Sequence, residues 1–255
     1  MPHVVITGAS RGIGRGLALA FARAGYDVTA VARSHDALSK LEAELEPFPG
    51  RVHLVATDLS DLAHCTDWIA GAEAALGPVD VLVNNAGRQV VGPTELLGGA
   101  DASIVLDLNA PIAIAMAVAP GMLARGNGVI VNMASAAAFG WVPGMAHYTA
   151  AKSGLAAWSE SVRVEWRPRG VNVLTVYPGP VHTDMAATAM AAYGQGWVPA
   201  GTVEGLAARV MAGVRRGSKR VIYPAYYWLV WATPNLSRWV TALVAPRPKV
   251  GDSGG

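Results

Sequence analysis

Hydrophobic positions along this chain switch between two periods. The β-branched run Val4-Val5-Ile6 is followed by Ile13, Leu17, Ala20, Phe21 and Ala24 at helical spacing, the pattern of a strand, a turn and a helix. Strands are predicted at residues 3–7, 28–32, 52–56, 79–84, 128–133, 171–176 and 220–223. Between them, helical spacing predicts helices near 36–46, 63–76, 110–125, 147–167 and 203–216. The strand runs show little polar alternation, as expected where both faces are covered, and strands that alternate with helices imply a parallel sheet. No internal repeat or dividing linker interrupts the pattern, so the expectation is one doubly wound α/β domain with a seven-stranded parallel sheet and helices on both faces.

Composition narrows the class. Of 255 residues 52% are hydrophobic and 15% charged, with one Cys, which excludes a disordered chain, a collagen-like repeat and a disulfide scaffold. The lone Cys65 cannot form an intrachain disulfide, which fits a reducing, cytoplasmic setting. The first residues lack the basic start, apolar stretch and small-residue cleavage site of a secretory signal. The longest uninterrupted apolar runs, 110–119 and 226–232, fall short of the roughly 20 residues that span a bilayer, so no membrane span is expected.

A formal net charge of +2 gives no global drive toward nucleic acid, but it hides an asymmetry. Residues 1–204 hold 12 bases and 17 acids, whereas 205–250 hold eight bases and no acid. The basic stretch also carries Tyr223, Tyr226, Tyr227, Trp228, Trp231 and Trp239.

Candidate chemistry sits at strand ends. After the first strand comes Thr7-Gly8-Ala9-Ser10-Arg11-Gly12-Ile13-Gly14. Its glycines permit a tight turn and close backbone approach, so the following helix can present its amides and dipole to a pyrophosphate. The second strand ends in Arg33-Ser34 rather than an acid. An acid there would hold the ribose 2′-hydroxyl of NAD, whereas Arg33, with Arg11, suits the 2′-phosphate of NADP. Tyr148 and Lys152 are spaced to share one helix face, and an ammonium beside a phenol favours the phenolate. Ser135 follows a strand, where its hydroxyl can meet a substrate oxygen or merely cap a turn. The six histidines and one cysteine show no metal-ligand spacing, so no metal is expected.

Together, Thr7-Gly8-(x3)-Gly12-Ile13-Gly14, Asp58-Leu59, Asn84-Asn85-Ala86-Gly87, Asn109, Ser135, Tyr148-(x3)-Lys152 and Tyr177-Pro178-Gly179 resemble, in order and spacing, the short-chain dehydrogenase/reductase family. The resemblance covers residues 3 to about 223 and implies a Rossmann fold and reversible hydride transfer between a nicotinamide and a carbonyl or alcohol. It implies that Tyr148 is the general acid/base, that Lys152 lowers its pKa and holds the nicotinamide ribose, and that Ser135 polarises the carbonyl. It also implies that Asn109 supports a water-linked proton relay. For the cofactor it implies contacts from Gly8, Ser10, Arg11, Gly12, Ile13, Gly14, Arg33, Ser34, Asp58 and Leu59. Asn85, Ala86, Gly87, Pro178, Gly179, Val181 and Thr183 complete the implied set, with NADP the expected cofactor.

The resemblance further implies a substrate lid at about 179–200, in which Met185, Met190, Tyr193 and Trp197 give an apolar wall suited to a lipophilic carbonyl or alcohol. Phe139, Trp141 and Met145 add apolar bulk nearby. The expected division is a catalytic domain over 1–223, a basic aromatic extension over 224–249, similar to that of hydroxysteroid dehydrogenase-like members, and a disordered end at 250–255. The extension's aromatics and cations suit a membrane interface, a partner subunit or a cover over the pocket, and all three stay open here. A homodimer or homotetramer is implied, through helices near 110–125 and 147–167, with Trp158, Val162 and Trp166 available for the contact. A reductase of 3-oxoacyl thioesters on an acyl carrier protein is the alternative activity, and a non-catalytic NADP-binding sensor or scaffold the alternative of another class.

Overall fold

The structure, a computed structural model, describes residues 1–97, 101–140, 142–193, 199–233, 235–236, 238–239 and 243. The chain runs β1 (His3–Thr7), α1 (Gly12–Arg23), β2 (Asp27–Ala32), α2 (His35–Leu45), β3 (Val52–Ala56), α3 (Ile69–Leu76) and β4 (Val81–Asn84). It continues with α4 (Asp101–Ile104), a π-helical turn (Val105–Asn109), α5 (Ala110–Arg125), β5 (Gly128–Met133), α6 (Ala146–Trp166) and β6 (Val171–Pro178). The last elements are α7 (Asp184–Ala192), α8 (Val203–Arg216), β7 (Arg220–Tyr223) and α9 (Tyr227–Ala232).

All seven strands are parallel, in the order β3-β2-β1-β4-β5-β6-β7. Register pairs His3 with Asp27, Val4 with Val81 and Gly128 with Val171. β1, β2 and β4 are buried at every position, which accounts for their unbroken apolar runs, since helices cover both faces. On one face Leu17 and Phe21 of α1, Leu41 of α2 and Leu206 and Val210 of α8 form one core; on the other, Ile69 of α3, Ile114 and Met122 of α5 and Trp166 of α6 form a second. The expected doubly wound single domain is the observed one.

Four expectations need correction. The helix expected over 63–76 starts at Ile69, because Asp61 accepts from the Ala63 amide, and His64 and Asp67 pair with one another, local bonds that compete with helix formation. The segment 184–192, inside the expected lid and given no helix by the hydrophobic period, is α7, capped by the Thr183 hydroxyl accepting from the Ala186 amide. Helical residues extend upstream of α5, so that Ala102–Arg125 is a 24-residue stretch long and apolar enough to cross a bilayer by length and composition. Its apolar side instead carries Ile114, Val118 and Met122 into the second core. Finally, Val162 and Trp166 are buried within this chain, so they are not free for a partner subunit. Trp141, Trp197, Arg247, Lys249 and the expected disordered end at 250–255 lie outside the described residues.

Candidate active site

Parallel strands deliver their C-terminal ends to one edge of the sheet, and the order β3-β2-β1-β4 reverses direction between β1 and β4, the switch point where open α/β sheets bind ligands. Six interstrand steps of about 4.8 Å make this edge about 29 Å long. A cavity of about 710 Å³ follows it, within the roughly 300–1,000 Å³ of small-molecule sites.

At the switch point the glycine turn is tied to the loop after β4. The Thr7 hydroxyl accepts from the amides of Asn85 and Ala86, and the Asn85 side chain donates to the carbonyls of Thr7 and Gly8. Gly8 has φ +66°, and a β-carbon there would lie 2.8 Å from Ala86 Cα; one on Gly14 would lie 2.1 Å from the Gly8 carbonyl oxygen. Both glycines are therefore required by backbone approach. Helix α1 then begins without a side-chain cap and without an acid in its first turn, whereas α2, α7 and α8 are capped by Ser34, Thr183 and Thr202. Gly12 and Ile13, at the uncapped start of α1, line the cavity beside the exposed Arg11 and Arg33. This is an anion cradle with the charge and donors that a phosphorylated dinucleotide needs. Asp58 lines the cavity next to Arg33, its carboxyl held below the usual range by the hydroxyl and amide of Ser60, with a smaller contribution from Arg33.

Further along the edge, Ser135 follows β5 and accepts from the Ala137 amide at 3.1 Å, which leaves its own O–H free to donate. A hydrogen bond links it to the Tyr148 phenol. Lys152, one turn on from Tyr148 along α6, places Nζ 5.9 Å from the phenol ring centroid and donates to the Met133 carbonyl at 3.0 Å. Its other partner is Asp107, fully buried, with Oδ1 3.1 Å from Nζ. Burial pushes the Tyr148 phenol up; Lys152 and the Ser135 bond pull it down, and Asp107 pushes it up again. A phenol, a hydroxyl and an ammonium so arranged can pass a proton to an oxygen held between Ser135 and Tyr148.

The cavity brings together Gly8, Ser10, Arg11, Gly12, Ile13, Arg33, Asp58, Leu59, Asn85, Ala86, Gly87, Ser135, Tyr148, Lys152, Pro178, Gly179, Val181 and Thr183. Gly14 lies behind the turn, and Ser34 caps α2 through the Ala37 amide; neither reaches the lining. Asn109 is exposed and also outside it, which corrects its expected place in a relay. Two residues apart on the π-helical turn are separated by nearly half a turn, so Asp107 faces inward and Asn109 outward. Asp107 was missed as a candidate, though the signal was legible: one acid in the apolar run Ile104-Val105-Leu106-Asp107-Leu108. Of the three readings left open for the aromatic extension, α9 supports the cover over the pocket: its Tyr227, Leu229 and Val230 line the cavity with Met185 and Met190 of α7.

A doubly wound fold with an anion cradle at the switch point and a Tyr–Lys pair beside it defines a dinucleotide-dependent oxidoreductase. The short chain dehydrogenase family profile matches residues 2–194, and the chain belongs to that family. It is 32% identical over 251 residues to a fatty acyl-CoA reductase of Mycobacterium tuberculosis, spanning 96% of this chain and 84% of that protein. A short-chain dehydrogenase from Sphingobium yanoikuyae in complex with NADPH superposes with a TM-score of 0.81 at 30% identity, covering 99% of each chain. The bulky-bulky ketone specific alcohol dehydrogenase of Comamonas testosteroni superposes with a TM-score of 0.77 at 29% identity, over 92% of this chain and 93% of that one. The protein is an oxidoreductase acting on alcohol and carbonyl groups, and the acyl-carrier reductase and sensor readings are not favoured.

Proposed function

We propose that this protein is an NADP(H)-dependent oxidoreductase that reduces the carbonyl of a lipophilic substrate, with Tyr148 as proton donor. One observation carries the reading: Ser135, Tyr148 and Lys152 meet in a cavity that joins the anion cradle of Arg11, Gly12 and Arg33 to an apolar wall from α7 and α9. The cradle fits the cofactor, with Arg33 and Arg11 for the 2′-phosphate and the α1 amides for the diphosphate. NADPH, when bound, supplies the hydride. Ser135 turns its O–H from the Tyr148 phenol to the substrate oxygen, Tyr148 gives that oxygen a proton, and Lys152 anchors the site through Met133. Pro178 and Gly179 line the same cavity.

The substrate side is apolar. Tyr193 donates to the Pro143 carbonyl at 2.7 Å and the Tyr226 hydroxyl donates to the Pro199 carbonyl, so the segment after β6 is tied to the loop before α6 and to the start of α9. Trp228, Leu229, Leu236, Trp239 and Leu243 are exposed on the extension, supporting peripheral contact between a cytoplasmic enzyme and a lipid surface. Met116 of α5 and Val164 of α6, both exposed, support a homodimer or homotetramer through those helices.

NADPH oxidation measured against ketones, aldehydes and acyl thioesters of increasing chain length tests the reading. Turnover rising with chain length, and lost by at least about 10²-fold in Tyr148→Phe, is expected. A variant that keeps wild-type rates on every accepted substrate would remove the acid assignment.

A further inference from the structure

Helix α9 is six residues long, lacks a side-chain cap, and has no buried residue. A helix so short does not set its own position in water, since isolated helices are marginal below about 12–15 residues. Its place beside the cavity therefore comes from what it touches. At its start, Tyr227 packs on Gly179 and the Tyr226 hydroxyl donates to the Pro199 carbonyl. One turn on, Trp231 projects from the same side of the helix as Tyr227. Its ring lies against the Arg220 guanidinium, with Cζ 5.2 Å from the ring centroid, within the range of a cation–π contact.

Arg220 opens β7, the edge strand of the sheet. Its Nε donates to Glu160 Oε1 of α6 at 2.7 Å and its Nη2 donates to Oε2 of the same carboxylate. A further bond links it to the buried phenol of Tyr177 on β6. The Tyr177 ring packs in turn on Phe139, in the short helical turn that follows Ser135, with 4.6 Å between centroids. The Arg220 side chain is 34% exposed, so as an ion pair alone it would contribute little to stability. Its effect is geometric: two carboxylate bonds fix the guanidinium plane and leave its flat face for an indole. Neither Arg220 nor Trp231 lines the cavity, whereas Tyr227, Leu229 and Val230 of the same helix do.

We propose that Arg220 is a positioning residue for substrate selection: held by Glu160 and Tyr177, it seats Trp231 and so fixes where Leu229 and Val230 meet the apolar part of the substrate. The inference rests on the reading of the α7 and α9 side of the cavity as the substrate wall. Glu160 has a second partner in Arg163, so loss of Arg220 leaves no unpaired carboxylate. Tyr148 and Lys152 lie in the first two turns of the same helix, away from Glu160.

The experiment combines hydrogen–deuterium exchange on the full chain with steady-state NADPH oxidation on short-chain and long-chain carbonyls. It uses Arg220→Gln, Trp231→Leu and the double variant. Amides of residues 227–233 are expected to exchange about tenfold faster in each single variant, while those of 146–166 keep wild-type rates. KM for long-chain carbonyls rises about tenfold, and kcat, KM for NADPH and turnover of short-chain carbonyls stay within about twofold. Both substitutions remove the same contact, so the double variant is no worse than the worse single one. Wild-type exchange at 227–233 in Arg220→Gln, equal losses on short and long substrates, or additive losses in the double variant overturn the proposal. If Arg220→Gln does not fold, exchange and KM in Trp231→Leu decide alone. A wild-type enzyme that shows no preference for long-chain carbonyls would instead overturn the substrate reading, and the exchange result does not depend on it.

Discussion

Tyr227 of α9 packs on Gly179 so closely that a β-carbon on residue 179 would come within 2.2 Å of its Cε2. The Gly179 amide is also bonded to the Tyr223 carbonyl at 2.7 Å, so the backbone cannot move aside. Gly179→Ala must therefore displace the Tyr227 ring and α9 with it. A misplacement of about 1 Å beside the reacting groups costs up to about 10²-fold in rate, and overpacking costs about 1–3 kcal/mol. We expect kcat/KM for NADPH-dependent reduction to fall at least about tenfold with a lowered Tm. Adding Tyr227→Leu to Gly179→Ala should recover part of both, because the smaller side chain vacates the clash.

Arg33 is expected to set cofactor choice. It is exposed at the end of β2 beside Asp58, and no acid follows β2 before Asp36. Hydrogen bonds to a charged group contribute about 1.5–3 kcal/mol, so Arg33→Ala should lower the kcat/KM preference for NADPH over NADH by about 10–100-fold. The loss should appear mainly in the KM for NADPH, and steady-state kinetics with both cofactors checks it. An unchanged ratio would assign the phosphate to Arg11 alone.

How far the sequence reaches can be judged from particular elements. β5, α5, α8 and β7 begin and end where the hydrophobic period places them, at Gly128–Met133, Ala110–Arg125, Val203–Arg216 and Arg220–Tyr223, because burial on known faces sets their pattern. α7 was hidden because Asp184–Ala192 is mostly alanine and shows no apolar stripe, although Thr183 and Asp184 carry a start signal. The site failed to read out where a face had to be known. Asn109 and Asp107 differ by two positions in a π-helical turn, and only the packing of that turn on α6 reveals which one is buried. The place of α9 was open among three readings for a different reason: Tyr227 meets Gly179 across 48 residues, a contact with no local pattern to single it out.

Acid sensitivity should centre on the Asp27–Arg51 pair. Asp27 is 1% exposed, accepts from the Arg51 amide at 2.7 Å and from its guanidinium at 2.7 and 3.1 Å. Burial pushes the Asp27 carboxyl up, but these bonds more than offset it and its pKa lies below the ordinary value. A carboxyl depressed in the folded state stabilises the fold at pH above its unfolded pKa of about 3.9, and that contribution is lost as pH falls through the lower folded value. Arg51 is largely exposed, so solvent weakens the pair, and Arg51→Ala should cost about 1–2 kcal/mol at neutral pH. Urea unfolding at pH 7 and at pH 3 checks this: the gap between wild type and variant should narrow at the lower pH, and a constant gap would assign it to packing.

Substrate length should be read by α9. Leu229 lines the cavity while 71% exposed, and Leu236 lines it while 59% exposed, so the apolar wall continues from the reacting groups to the surface. A long acyl or alkyl chain would cover those leucines and a short one would not. Removing about two methylene contacts at about 0.8 kcal/mol each amounts to roughly tenfold in binding. Leu229→Ser should therefore lower kcat/KM for long-chain carbonyls about tenfold while leaving short-chain carbonyls within about twofold. Equal losses on both would place the effect in the fold of α9, where Leu229 accepts from the Thr233 hydroxyl at 2.8 Å through its backbone carbonyl, and Tm would then fall in parallel. A selective loss with unchanged Tm would mark the extension as the part of the chain that selects long substrates.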